Sequence, residues 1–278
     1  MKKLSIITIN YNNCNGLKKT IESVVKQTYS GYEYIIIDGG STDGSVEVIK
    51  EYADKIDYWV SEPDKGIFNA MNKGILKTTG EYCNFMNSGD SFHANDVIAK
   101  TIPLLDKDIV VGKYIHGNLS YTWGRTSDSI SMLDFVKGGI SHQSSFIKKT
   151  LFENNLYDEN FKIASDWKFF IDVLIFKSCT YKNIDVIVAD FDATGISSVA
   201  SKLNEMERTK ILKEFLPERI YTDYVRLAKA DSTLLELTPF FNNTNGFQKL
   251  IFNVVAILIK IRTFHLKIKL FFKKFKKR

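Results

Sequence analysis

YIIIDGGSTDGS, residues 34–45, runs through three consecutive isoleucines to a carboxylate and then breaks at once into glycine and small hydroxyl residues. A short β-branched run without polar alternation is the mark of a strand buried on both faces, as in a parallel sheet. The Asp38-Gly39-Gly40-Ser41-Thr42-Asp43-Gly44-Ser45 stretch pairs a carboxylate with glycines, Gly40 among them, that let backbone approach a ligand. It also offers Thr42 or Asp43 to cap a following helix. The same stretch contains neither GxxxxGK[ST] nor, after the first strand, GxGxxG, so the phosphate cradles of P-loop and dinucleotide-binding proteins are missing.

On either side of this stretch, strand candidates at Leu4–Asn10, Tyr32–Asp38, Ile56–Glu62 and Glu81–Met86 alternate with helical spacings. Those spacings are Leu17, Ile21, Val24 and Val25, then Val46 and Ile49, then Ile67, Met71 and Ile75. The alternation predicts an α/β fold: a Rossmann-like, mixed, mostly parallel sheet flanked by helices. Beyond residue 100 the pattern changes. Ile109–His116 and Leu119–Trp123 flank a Gly-Asn turn, Phe135–Ile147 is marked by glycines, and Asp166–Phe176 reads as a helix. A helical stretch from about Ser201 to Ala230 leads to a polar break at Phe241–Gly246. The expected organisation is a catalytic domain over 1–200, a helical extension over 201–241 and a separate tail over 247–278.

The protein has 278 residues, 44% hydrophobic and 25% charged, enough for a packed core with an ordinary polar surface. Cys14, Cys83 and Cys179 are scattered without metal or CxxC spacing and read as reduced thiols. The opening MKKLSIITINYN reads as a first strand and not as a signal peptide. The net charge of +6 is unevenly placed. Residues 246–278 hold ten Lys or Arg and no acidic residue, while the rest sets 28 basic residues against 32 acidic ones. That leaves no basic body for a nucleic-acid partner.

Polar residues close the predicted strands: Asn10, Asp38, Glu62 with Asp64, and Asn87 with Asp90. Each alone is an ordinary turn former or cap, but in doubly wound sheets ligands bind beyond the carboxyl ends of strands, so together they predict one polar crevice. Four segments, LSIITINYNN (4–13), YIIIDGGSTDGS (34–45), SEPDKGIFNAMNKGI (61–75) and TGEYCNFMNSGD (79–90), stand in the order and spacing of the family 2 glycosyltransferases of GT-A fold, which the chain resembles. The resemblance continues more weakly through SHQSSFI (141–147) and ASDWKFF (164–170) and does not reach the tail.

The resemblance implies a nucleotide-sugar donor, taken as a UDP-sugar, with Thr8, Asn10 and Tyr11 near the base and Asp38 near base or ribose. It also implies a donor pocket lined by Gly40, Asp64 and Lys65. The family's Asp-x-Asp-Asp metal loop reads Asn87-Ser88-Gly89-Asp90 here, leaving Asp90 and the neutral Asn87 as candidate ligands for Mg²⁺ or Mn²⁺ beside the diphosphate. The inverting mechanism of most such enzymes needs a carboxylate base. The matching position is Asp166, in Ser165-Asp166, which also reads as a helix cap. Trp167 is expected to stack on an acceptor sugar. His142 is placed on the acceptor side as well, with the metal shell or diphosphate as its other reading.

The tail, FQKLIFNVVAILIKIRTFHLKIKLFFKKFKKR (247–278), carries Ile251, Val254, Leu258, Ile261, His265, Ile268 and Phe272 on one helical stripe, with Lys260, Lys267, Lys274 and Lys276 beside it. Its apolar run is too short to span a bilayer, so it is expected to lie in an anionic membrane surface. A cytoplasmic enzyme at the inner face of the plasma membrane, acting on a saccharide or lipid-linked saccharide in cell-surface polysaccharide synthesis, follows from tail and resemblance together. A sugar nucleotidyltransferase and a membrane scaffold that binds nucleotide-sugar without turnover are the competing readings.

Overall fold

The computed structural model describes residues 2–117, 122–124, 128–195 and 200–242. Met1–Tyr221 form one compact unit, so residues 201–221 belong with the sheet; Thr222–Asn242, the described part of a second unit, is helical. The predicted tail over 247–278 lies outside the described residues.

Strands β1 (Leu4–Asn10) and β2 (Tyr32–Asp38) fall where the β-branched runs place them, with all seven residues of β1 buried. Then follow β3 (Tyr58–Ser61), β4 (Tyr82–Phe85), β5 (Ser91–Phe92), β6 (Ile109–His116), β7 (Thr122–Trp123), β8 (Ser145–Lys148) and β9 (Tyr181–Phe191). The sheet order is β3-β2-β1-β4-β8-β6-β9-β5, with β7 on β6. The long registers, β1 with β2 and β6 with β9, are parallel, as are β1 with β4 and β2 with β3. The antiparallel pairings of β4–β8, β5–β9, β6–β7 and β6–β8 extend over only two or three residues each.

Helix α1 (Cys14–Val25) buries Leu17, Ile21 and Val24, the predicted stripe, and Asn13 caps it by accepting from the Gly16 N–H. Helix α2 (Ser45–Glu51) starts at Gly44, and Asp43 holds its first turn by accepting from the Ser45 N–H at 3.1 Å. Helix α3 (Ile67–Lys77) lies so close to the sheet that a Cβ on Gly74 would meet Ile7 at 2.5 Å. Helix α4 (Val97–Thr101) and α5 (Met132–Lys137) precede α6 (Ser165–Ile171), which passes directly into a π-helical turn, Asp172–Phe176. The helix Ser201–Phe215 stacks Phe215 on Phe176, with ring centroids 4.9 Å apart.

Candidate functional site

The strand order 3-2-1-4 reverses direction between β1 and β4, the position where an open α/β sheet leaves a crevice beyond its carboxyl ends. A cavity of about 1050 Å³ opens there. The ends of β1 and β4 supply Asn10, Tyr11, Asn13, Asn87, Ser88 and Asp90; the second half supplies His142, Asp166, Trp167 and Asp192; the helix Ser201–Phe215 supplies Asn204 and Arg208.

The 87–90 loop is held by α1. The Thr20 hydroxyl donates to the Asp90 carbonyl at 2.6 Å and accepts from the Gly89 N–H at 3.0 Å, and Lys19 Nζ donates to the Gly89 carbonyl at 2.9 Å. Asp90 is 4% exposed and accepts from the Asp192 N–H at 2.8 Å. Burial pushes its carboxyl up to about 6, with the neighbouring Asp192 adding to the rise while the Asp192 N–H, His142 and Gln143 oppose it. Gly89 adopts φ +103°, and a Cβ there would stand 2.4 Å from Asp192 Oδ2. A second carboxylate from the end of β9 therefore fills the space that a side chain at position 89 would occupy.

His142 joins two predicted site residues. Its Nδ1 lies 2.8 Å from Asp166 Oδ2 and its Nε2 lies 3.1 Å from Asn87 Nδ2, an arrangement in which the ring donates to the carboxylate and accepts from the amide. Burial disfavours the charged imidazole, but Asp166 and Asp90 outweigh it and hold His142 above its ordinary pKa. Asp166 lies in the first turn of α6, after the cap position Ala164, and its other oxygen accepts from the Trp167 N–H at 2.8 Å. His142 thus faces Asp166 and Asn87 together.

The expected stacking of an acceptor on Trp167 meets a ring that is already covered. Trp167 is 3% exposed, its indole N–H donates to the Gly138 carbonyl at 3.1 Å, Phe135 packs edge-on, and the Arg208 guanidinium sits 5.1 Å from the ring centre. Tyr11, by contrast, is 65% exposed on the cavity wall.

Four predicted residues stand behind or beside the wall. Asp38 is fully buried and accepts from Asn10 Nδ2, from the Ser41 and Ser61 hydroxyls, and from the Gly40 and Ser41 amides. Burial alone would raise its pKa, but these donors together hold it below the usual carboxylate value. Thr8, also buried, donates to the Met86 carbonyl at 2.8 Å and lies 3.0 Å from the Tyr34 hydroxyl. Gly40, at φ +81°, shapes the turn after Asp38 against Pro63, and Lys65 is exposed outside the cavity. Asp64 does line it, accepting from the Gly66 N–H at 2.8 Å, with its other oxygen where a Cβ on Gly39 would be.

Buried polar atoms normally find partners. Among the described residues seven such atoms are buried without one; four of them, Asn10 Oδ1, Asn87 Oδ1, Asn204 Oδ1 and Arg208 Nε, belong to residues on this cavity, whereas Asn84 Oδ1, Tyr157 Oη and Ser165 Oγ do not. No three His, Cys, Asp or Glu side chains among the described residues converge into a closed metal site. The donor set that exists is the Asp90–Asp192 pair with the orphaned Asn87 oxygen, hard ligands of the kind Mg²⁺ and Mn²⁺ take when a diphosphate supplies the rest. Asp192, Asn204 and Arg208 were not among the residues singled out from sequence.

The profile of "Glycosyl transferase family 2" matches residues 5–179. The chain is 35% identical over 211 residues to the Mycobacterium tuberculosis protein named uncharacterized glycosyltransferase Rv1514c, covering 70% of this chain and 77% of that one. It is 26% identical over 220 residues to the PGL/p-HBAD biosynthesis glycosyltransferase Rv2957 of the same species, covering 76% and 82%. Among solved structures, Staphylococcus aureus TarS 1–349 in complex with UDP-GlcNAc superposes with a TM-score of 0.62 at 16% identity, over 81% of this chain and 71% of that one. The mannosyltransferase PcManGT of Pyrobaculum calidifontis in complex with GDP-Man and Mn²⁺ gives 0.58 at 15% identity, over 92% and 80%. At such identities the structural likeness concerns the fold.

Proposed function

With the chain belonging to glycosyl transferase family 2, and so being a glycosyltransferase, we propose that it transfers a sugar with inversion from a UDP-sugar to a hydroxyl of a saccharide or lipid-linked saccharide. The observation that carries this reading is that four buried, partnerless polar atoms, on Asn10, Asn87, Asn204 and Arg208, belong to residues of one cavity at the switch point of the sheet. The UDP-GlcNAc held by TarS supports the choice of base.

In the step itself, the acceptor oxygen attacks the anomeric carbon, its proton passes to Asp166, and the bond from that carbon to the β-phosphate oxygen breaks, releasing UDP. The His142 N–H fixes the orientation of the Asp166 carboxylate. Tyr11 offers an open face to the base. Arg208, with Nε unsatisfied, supplies positive charge towards the departing diphosphate. Asp90, Asp192 and Asn87 would hold Mg²⁺ or Mn²⁺, which when bound stabilises the charge developing on the leaving group. Asp38, Thr8 and Gly40 serve this reading by shaping the floor behind Asn10.

The tail would place the enzyme on the inner face of the plasma membrane through its apolar stripe and lysines, each worth about 1 kcal/mol near an anionic surface. Among the described residues no helix is long and apolar enough to cross a membrane. A thermal-shift panel of UDP- and GDP-sugars, with and without Mn²⁺, tests the donor: a UDP-sugar should give the largest rise, and a GDP-sugar as the sole stabiliser would refute the assignment. Removing residues 247–278 should move the protein from sedimenting membranes to the soluble fraction, and unchanged sedimentation would refute the anchor.

A further inference from the structure

Asp166 owes its place to the turn before it, and that turn is held from a distance in sequence. Glu207, 9% exposed on the helix Ser201–Phe215, directs both carboxylate oxygens at three successive backbone amides. Oε1 accepts from the Lys162 N–H at 2.8 Å, and Oε2 accepts from Ile163 at 2.9 Å and Ala164 at 3.0 Å. Ala164 is the cap residue of α6, two before Asp166. These amides belong to an irregular segment, and Glu207 gives all three an acceptor at once. Charge-assisted bonds of this kind are about twice as strong as neutral ones. The adjoining residue, Arg208, lies over Trp167, so one turn of this helix grips α6 on both sides of the carboxylate.

We propose that Glu207 is a positioning residue for transfer, acting through the 162–164 backbone to set where Asp166 stands relative to the acceptor. The inference rests on Asp166 being the base. A misplacement of about 1 Å at a reacting group can lower a rate by about a hundredfold. Glu207→Gln keeps the size of the side chain but turns an N–H₂ group towards amides that need an acceptor, and so displaces the turn. Glu207→Asp keeps the charge at shorter reach.

The experiment uses the full chain. Rates are read as UDP released from the nucleotide-sugar that the thermal-shift panel selects, with a membrane glycolipid extract as acceptor, and UDP affinity is measured separately by calorimetry. Glu207→Gln should lower kcat by roughly ten- to a hundredfold while UDP affinity stays within about twofold. Glu207→Asp should recover part of the loss, and Glu205→Gln, on the exposed face of the same helix, should keep the unsubstituted rate. A folded Glu207→Gln protein with unchanged kcat would overturn the proposal. So would an equal loss of kcat and UDP affinity, which would make Glu207 a support of the whole cavity. Should the variants not fold, amide hydrogen exchange in the unsubstituted protein decides: Lys162, Ile163 and Ala164 should exchange as slowly as β1, and fast exchange would reject the clamp. Transfer that survives in Asp166→Asn would instead defeat the base assignment, a result distinct from failure of Glu207 alone.

Discussion

The cavity has two unlike sides. Towards β2, Asp38 takes five donors, from Asn10, Ser41, Ser61 and Gly40, although Asn10 keeps a bare Oδ1 beside it. Towards β4, β8 and β9, Asp90 is as deeply buried yet poorly supplied, Asn87 has a bare oxygen, and Arg208 has a bare N–H. The carboxylate of the first side is satisfied by folding alone, whereas that of the second is left for something to complete. A strand-end carboxylate is thus either a keystone or a ligand, and what separates the two is the number of donors already facing it.

The largest effect should come from the incomplete side. Asp166→Asn should lower transfer by about 10² to 10⁴-fold, the usual contribution of a positioned base, with UDP affinity nearly intact. Retained turnover would assign the proton to another group.

Next in size is the keystone. Asp38→Asn should destabilise the fold at pH 7 by about 3 kcal/mol, because it sets an amide against donors that need an acceptor. Asp38 has a folded pKa below its unfolded value, so its contribution is present above the unfolded pKa and is lost as pH falls through the folded one. The penalty of the substitution, read from urea unfolding, should accordingly shrink below about pH 4.

Asp90 should behave oppositely. Its pKa is raised to about 6, so the protonated form is the one folding favours, and stability is lost as pH rises from about 4 through 6. Asp90→Asn should raise the unfolding midpoint at pH 7.5 in the absence of divalent cation by roughly 5 °C and change little at pH 4. The same substitution should abolish any additional stabilisation that Mn²⁺ gives in the presence of UDP. A lower midpoint for Asp90→Asn at pH 7.5 would mean that the carboxylate is satisfied as Asp38 is, and the contrast would collapse. The smallest effect is expected from Thr20→Val, which removes the hydroxyl under the 87–90 loop, at about 1 kcal/mol.

The finished side was also the readable one. Strands rich in isoleucine and ending in polar residues fix β1 and β2 to the residue, and the Leu17, Ile21 and Val24 spacing fixes the buried face of α1. Such signals are local, because one strand or one helix turn contains all of the evidence. The incomplete side is assembled from afar. Asp192 matters because Gly89 has no side chain to occupy its place, a pairing of residues about a hundred positions apart. Sequence analysis assigned no strand to Tyr181–Phe191, whose register on β6 shifts around Gly112 and breaks a simple alternation. In KLNEMERTK, Glu207 and Arg208 look like members of a solvated charged face. Only the return of this helix against α6 buries them. Trp167 shows the converse: an aromatic beside a candidate base invites a sugar, but the ring is 3% exposed, with Arg208 over it and Phe135 packed edge-on.

Because the Thr20 hydroxyl and Lys19 ammonium grasp the backbone of the 87–90 loop, its contour is inherited from α1 and needs no cation to impose it. An ion and its nucleotide would then enter a vessel cast beforehand, and little of their affinity would be consumed in arranging the chain around them.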